Sequence, residues 1–371
     1  MEEKPKLRYF DVIPDRRGFI IKDPLSISKE MLLSRESFLL LSLIDGNNTI
    51  NDIKMKFLKI TGILLSDIEI ISFIEKLDEN FILYNERFLK KIEEEKNKIK
   101  KSEFKEIKNY YDIHELEKVF NERSQEIRED IKGMIIPHID IKVALDTYIR
   151  AFSYLKNVKE KIIFIFGVPH FWYEIPFSIS SKNFKVDNKI IESDFNLIEK
   201  INSNFEYDIT EDYLSFKNEH SIDFPIILIS FLKEKKKVIA SLVSENQKEN
   251  LIKIKEKILK AIKDFKNDIF FISSIDLSHT GKKFGDEKNY DPEEIDKTYL
   301  ECLVKLKNEE GGFDLLEKNK NKTRIDGKNT NFLFIGILKE LGVQKGEIID
   351  YRKYYEKLTD STVSYSLIVF K

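Results

Sequence analysis

From about residue 130 to the carboxyl terminus, short runs of apolar, largely β-branched residues alternate with amphipathic stretches. This alternation restricts the fold more than any other feature. Residues 134–136, 161–167, 225–231, 238–243, 269–272 and 363–370 read as strands, and residues 143–154 and 250–265 as helices between them. Apolar runs without polar interruption mark strands buried on both faces. The pattern therefore predicts an α/β domain with a mainly parallel sheet covered by helices on both sides. In such sheets ligands bind beyond the carboxyl ends of the strands. No internal repeat, GxGxxG or P-loop pattern is present.

Residues 1–88 read as a separate unit. Residues 7–21 form small strands broken by Pro14 and Gly18, and residues 31–44 a helix stopped at Asp45-Gly46. Asn51 caps a second helix that ends near Gly62. Ser66 and Glu69 make a capping box for a third, whose apolar face is Ile68, Ile71, Ile74 and Leu77. Residues 81–84 follow as a strand. Three small helices and a terminal β element predict a winged helix. Its third helix carries Asp67, Glu69, Glu75 and Asp78, which repel phosphate, so the expected partner is a protein or peptide and not nucleic acid. Residues 41–46 and 49–53 resemble the PqqD-like winged helix, a family that binds peptides. Residues 89–129, opening with a Lys/Glu run whose Glu94 and Lys98 stand at i,i+4 spacing, read as a charged helical linker. Residues 130–371 are then the α/β domain.

A net charge of -2 creates no global field toward nucleic acid or a membrane surface. The single cysteine, Cys302, excludes an intrachain disulfide and a cysteine metal cluster, and reads as a packed thiol. The first residues lack the apolar stretch of a signal peptide. No apolar run approaches the roughly 18 residues of a membrane helix. A soluble, cytoplasmic protein is expected.

Chemistry concentrates around the five histidines. His114 lies in a charged helical stretch and is assigned no role. His138 follows the strand ending at Ile136, and His170 the strand ending at Phe166. One helix joins these strands, so a right-handed crossover makes them neighbours or near-neighbours with their carboxyl ends on one side. Two imidazoles there can share zinc, copper or iron. Either one alone reads as a structural histidine bonded to a backbone carbonyl, and the matched placement favours ligation. Asp276 and His279, three residues apart, can face one cavity, or be a helix cap and a surface histidine. Glu219 and His220 precede an apolar run and can act as orienter and base, or hold a ligand from behind.

In chain order, Pro137-His138, Gly167-Val168-Pro169-His170, Glu219-His220-Ser221-Ile222, residues 273–281 and Asp360-Ser361-Thr362-Val363-Ser364-Tyr365 resemble the Memo family. Its prokaryotic representative is AmmeMemoRadiSam system protein B. The resemblance implies a fold similar to class III extradiol dioxygenases, which hold non-haem Fe(II) on two histidines and a carboxylate. It implies His138 and His170 as metal ligands. The family's third ligand is a cysteine before a glycine. Here the matching stretch is Thr323-Arg324-Ile325-Asp326-Gly327, so Asp326 stands in its place. The resulting 2-His-1-carboxylate set suits Fe(II), with copper or zinc as alternatives, while Asp326-Gly327 also reads as a plain turn. His220 would be the general base, with Asp276 and His279 lining the site. Two departures mark the pocket as divergent. Ile139-Asp140-Ile141 replaces the usual Ala-Gly-Tyr, leaving Asp140 as an additional ligand or a group behind one. Phe171 replaces the second of two adjacent histidines. The expected function is a metal-dependent oxidoreductase of dioxygenase type. The alternative is a non-enzymatic metal- and peptide-binding protein that partners a radical-SAM enzyme, and a zinc hydrolase on the same ligands is third.

Overall fold

The structure, a computed structural model, describes residues 4–107, 110–306 and 309–371. The first three residues, and Lys108 at the end of the expected charged run, lie outside the described residues. The chain divides into two units, residues 1–101 and 102–371.

The first unit contains β1 (Asp11–Asp15), β2 (Gly18–Lys22), β3 (Met31–Leu33), α1 (Arg35–Ser42), α2 (Ile50–Thr61), α3 (Asp67–Glu79) and α4 (Glu86–Lys101). The strands form an antiparallel sheet in the order β1-β2-β3. Residues 31–33 join this sheet instead of the helix expected there, because the helix starts only after Ser34, whose side chain accepts the Ser37 N–H. Ser66 and Glu69 form their capping box. Thr49, not Asn51, caps α2, since its hydroxyl reaches the Asp52 N–H while Asp52 reaches back to the Thr49 N–H. The strand expected at residues 81–84 shrinks to one bridge between Leu7 and Leu83, and Phe81, at φ 56°, interrupts any extended run. Ile21, Leu33, Leu41, Ile53, Phe57, Ile70 and Leu77 make the core of this unit, so the buried positions of α3 are Ile70 and Leu77, while Ile68 and Ile71, expected on its apolar face, are exposed.

One buried ion pair pins that core. Arg8 holds Asp23 through two hydrogen bonds of 2.6 and 2.7 Å, and also donates to the Phe81 carbonyl. Asp23 further accepts N–H groups from Leu25, Ile27 and Ser28. Burial alone would raise the Asp23 carboxyl, but Arg8 and the Ser28 and Ile27 N–H groups bring it below its ordinary value. Arg8→Ala leaves that carboxylate buried without its cation, and is expected to cost about 3–5 kcal/mol of this unit's stability. Because the carboxyl is depressed on folding, its contribution is present above the unfolded value near 4 and is lost as the pH falls below it. Denaturant melts of wild type and Arg8→Ala between pH 7 and 3 check both points: the difference between them should shrink with acid.

The second unit contains β4 (Phe104–Glu106), α5 (Ile113–Arg123), β5 (Gly133–Ile136), α6 (Leu145–Leu155), β6 (Ile162–Gly167), β7 (Phe177–Ile179), β8 (Asn183–Val186), β9 (Lys189–Ile191), α7 (Phe195–Asn202), α8 (His220–Ser230), β10 (Lys237–Val243), α9 (Lys248–Ile262), β11 (Ile269–Ser274) and β12 (His279–Gly281). It continues with α10 (Glu293–Lys305), α11 (Glu309–Lys318), α12 (Lys328–Glu340), β13 (Gly346–Glu356) and β14 (Ser361–Phe370). The central sheet runs β12-β14-β5-β11-β6-β10-β7, with β13 added beside β14. Strands β5, β11, β6 and β10 pair in parallel. The flanking pairings with β7, β14, β12 and β13 are antiparallel, so the sheet is mixed, with a parallel centre. A second sheet has the order β4-β8-β9.

Strand residues alternate between two cores, as the two-residue period requires. Met134, Ile136, Ile163, Ile165, Phe270 and Ile272 pack on one face with α5, α6 and α8. Ile135, Phe164, Phe166, Phe271 and Ile239 pack on the other with α7, α9, α10, α11 and α12.

The run at residues 225–231 is not a strand. It belongs to α8, which is buried on all sides. A short, wholly apolar run carries no period to separate the two states, and a helix apolar all round is stable only when enclosed. Here α8 lies against β6 and β11 on one side and β8 and β9 on the other. Among the described residues no helix is long and apolar enough to cross a membrane.

Candidate metal centre

Strands β5 and β6 both pair with β11, which lies between them. The segments leaving all three strands open onto one cleft at their carboxyl ends, completed by the start of α8 and the turn before α12. Two glycines permit this approach. A Cβ on Gly167 would stand 2.6 Å from the Ser221 hydroxyl, and one on Gly327 would stand 2.7 Å from the Ile275 side chain. Ser221 ties α8 to the end of β6 by exchanging hydrogen bonds with the Val168 N–H and carbonyl.

His138 is 1% exposed. Its Nδ1 lies 3.1 Å from the Ser274 carbonyl, which can only accept, so Nδ1 carries a proton. Its Nε2 is 2.9 Å from Asp326 Oδ2. His170 is fixed in a matching way. Its backbone N–H and its Nδ1 donate to the two oxygens of Glu219, at 2.8 and 2.9 Å, and its Nε2 is 3.8 Å from Asp326 Oδ2. Glu219 is fully buried and caps α8 by accepting the Ser221 N–H. His220, the first residue of α8, completes a triad of imidazoles. Its ring centroid lies 4.2 Å from that of His170 and 5.0 Å from that of His138. The ligand nitrogens of the three rings fall within 4.8 Å of one another. Phe171 stands 5.9 Å from both His170 and His220.

Asp276 reaches the cleft from the loop after β11. Its Oδ1 accepts the N–H groups of His138 and Ile139, and its Oδ2 is 3.9 Å from His138 Nε2. Its own N–H goes to Asp326 Oδ1. His279 lies at the rim, with Nδ1 3.0 Å from the carbonyls of Leu277 and Arg324 and its ring against Phe284. Arg324 returns the contact, donating to the His279 carbonyl and pairing with Asp286. Arg324 has φ 55°, a costly backbone for a side-chain-bearing residue. The strained turn Arg324-Ile325-Asp326-Gly327 is what aims Asp326 inward.

The electrostatics follow from two ionised carboxylates beside three imidazoles. Burial would raise Glu219, but the charge and hydrogen bonds of His170 hold it at about 2. Burial opposes a charge on His170, yet Glu219 and Asp326 raise it to about 10. His138 is raised against its burial by Asp326 and Asp276. Asp326 is depressed against its burial by His138 and His170. Burial raises Asp276 above its usual range, despite His138. His220 is pushed well below its ordinary value by burial and by His170.

The structure thus gathers His138, His170, His220, Asp276 and Asp326 in one cleft and sets His279 at its rim. Asp140 does not contribute: it is exposed, and its side chain accepts the Lys142 N–H in a turn. Three features escape sequence reasoning. The Ser274 carbonyl behind His138 has no side-chain signal at all. Arg324, two residues before Asp326, carries no sequence signal for the positive-φ backbone that turns Asp326 inward. Glu219 was visible, but its grip on His170 depends on a contact 49 residues away.

Residues 108–369 match the family profile described as "Memo-like protein". A curated "MEMO1 family protein" of Aquifex aeolicus is 39% identical over 99% of this chain and 100% of its own length. A second, from Thermus thermophilus, is 22% identical over 86% of this chain and 98% of its own. Among solved structures, an uncharacterized protein of Escherichia coli K12, JW3007, aligns with 65% of this chain and 99% of its own, with a TM-score of 0.39 and 11% identity.

Proposed function

Since the chain belongs to the Memo-like protein family, we propose that the cleft is a mononuclear metal centre. His138, His170 and Asp326 are its ligands, Fe(II) is its ion, and its work is oxidation of a small substrate in the manner of a dioxygenase. One observation carries this reading. Both histidines give their Nδ1 proton to a fixed acceptor, so the Nε2 of each, the atom left to bind a metal, faces the same Asp326 oxygen. Two nitrogen lone pairs and a carboxylate oxygen turned toward one point repel unless a cation lies between them. A proton fills that role in the bare protein, which is why both imidazoles are raised. A divalent metal fills it with better coordination chemistry, because backing by a carbonyl or carboxylate is the usual support of a metal-bound histidine. Ligands bound about 2.0–2.2 Å from one ion stand roughly 3–3.5 Å apart, and separations of 2.9 and 3.8 Å need little change to meet that.

Bound Fe(II) on such a set supplies open coordination positions for oxygen and a chelating substrate. The protein's own part is distinct. His220, held neutral, accepts a proton from a substrate hydroxyl at the cleft. Asp276 fixes the His138 backbone, His279 lines the rim, and Phe171 keeps water from one side of the imidazole pair.

Metal content of protein purified without oxygen tests the reading. Near-stoichiometric iron is expected in the wild type and is lost in His138→Ala and Asp326→Ala. A wild type without metal overturns it. Zinc in its place, with no oxygen dependence, would favour the hydrolase.

A second reading is supported by the first unit, which leaves Ile63, Leu64, Ile68 and Ile71 exposed. On this reading the protein is a non-enzymatic, cytoplasmic metal carrier whose PqqD-like amino-terminal unit holds a peptide or a radical-SAM enzyme. Partner affinity that survives His138→Ala distinguishes it from the first.

A further inference from the structure

The segment that leads into the second unit touches both sides of the cleft. Lys105, on β4, forms an ion pair with Asp223, whose side chain is fully buried while that of Lys105 is 9% exposed. Tyr110 donates its hydroxyl to the other Asp223 oxygen at 3.2 Å. Asp223 lies three residues after His220, on the same face of α8, and one turn past the capping Glu219. The ring of Phe224 is packed by Tyr110 at 5.3 Å and Tyr111 at 6.2 Å, and stands 5.9 Å from His220. The hydroxyl of Tyr111 accepts the N–H of Ile141, three residues past His138. Beside it, Tyr148 donates to the carbonyls of Pro137 and Ile139.

We propose that Lys105, Tyr110 and Tyr111 are positioning residues for the metal centre, bracing the helix that carries Glu219 and His220 against the loop that carries His138. The proposal rests on the cleft being a metal site. Lys105 precedes residues 108–369, the span matched by the family profile, while Tyr110 and Tyr111 lie within it, so one member of the brace comes from outside that span. The pairing is also one that stability alone does not call for. A buried ion pair is commonly no more stable than a well-packed apolar pair of equal volume, and its strength is directional. Direction is what a helix presenting Glu219 to His170 requires, since a shift of its first turn moves the carboxylate away from both His170 donors. The brace and the cleft are thus two ends of the same turn and a half of helix.

The test uses the full-length protein and Co2+ as probe, whose visible absorption reports ligand geometry. Tyr111→Phe deletes one hydroxyl and leaves the ring packing. It is expected to weaken Co2+ binding about tenfold and to shift the absorption bands, with little change in melting temperature. Lys105→Met combined with Asp223→Leu replaces the ion pair by an apolar pair that folds. It should melt near the wild-type temperature and yet bind Co2+ about tenfold more weakly. Leu316→Ala, in the opposite core, is the structural control: it should lower the melting temperature and leave Co2+ affinity unchanged. Wild-type affinity and spectrum in both Tyr111→Phe and the double variant overturn the brace. Failure of the wild type itself to bind Co2+ overturns the metal centre, and the brace with it.

Discussion

Asp326→Cys is expected to keep the metal site and reverse its preference. Asp326 is the carboxylate that, among the described residues, faces the Nε2 atoms of both His138 and His170, at 2.9 and 3.8 Å, and it is held ionised by them. Its other oxygen is fixed by the Asp276 N–H, and its backbone by the strained turn at Arg324. A hard carboxylate in that position favours Fe(II) and Mn(II); a thiolate favours Cu(I) and zinc. Direct titration under anaerobic conditions should show Fe(II) affinity falling on the order of a hundredfold in Asp326→Cys while Zn2+ and Cu(I) affinity rises. Asp326→Ala should lose affinity for all of these ions by a similar factor or more. Unchanged Fe(II) affinity in Asp326→Ala would remove Asp326 from the ligand set and leave His220 as the third donor.

Glu219→Ala is expected to have the largest combined effect on stability and metal binding. The side chain is fully buried and takes three hydrogen bonds: the N–H and Nδ1–H of His170 and the N–H of Ser221. Removing it strands three buried donors, at about 1–3 kcal/mol each when unsatisfied, and removes the cap of α8. A loss of about 3 kcal/mol or more follows, measured by denaturant unfolding of the bare protein. Freed from Glu219, the His170 ring can rotate or exchange its proton to Nε2, which closes the ligand atom. Metal affinity should drop a further ten- to a hundredfold. Glu219→Gln preserves volume but presents an amide with two donors of its own to a nest of donors. It should restore part of the cap and little of the metal affinity. Full recovery of affinity by Gln would show that the charge of Glu219 is dispensable.

The placement of His138 and His170 was legible because each follows a short apolar run, stopped by Pro137 or Gly167, that reads as a buried strand, and one helix separates the runs. The parallel centre of the sheet came from the same runs. Its antiparallel margins did not, because β13 is half exposed and heavily charged and so does not read as a strand, although it forms a hairpin with β14 across residues 357–360. Residues 225–231 were legible as buried and illegible as helical, since full burial erases the period that separates the two states. Lys105, Tyr110 and Tyr111 lay in and just beyond a stretch that reads as solvated charge, and nothing local distinguishes a lysine in water from one facing a buried aspartate.

What the sequence alone determined is therefore what depends on neighbours along the chain: strand and helix periods, capping boxes, and the identities of the donors at strand ends. What only the tertiary structure decided is which atoms stand behind those donors. The tautomer of His138 is set by a carbonyl 136 residues away, and that of His170 by a carboxylate 49 residues away. Those partners act through distance and direction in space, and a linear pattern of side chains encodes neither.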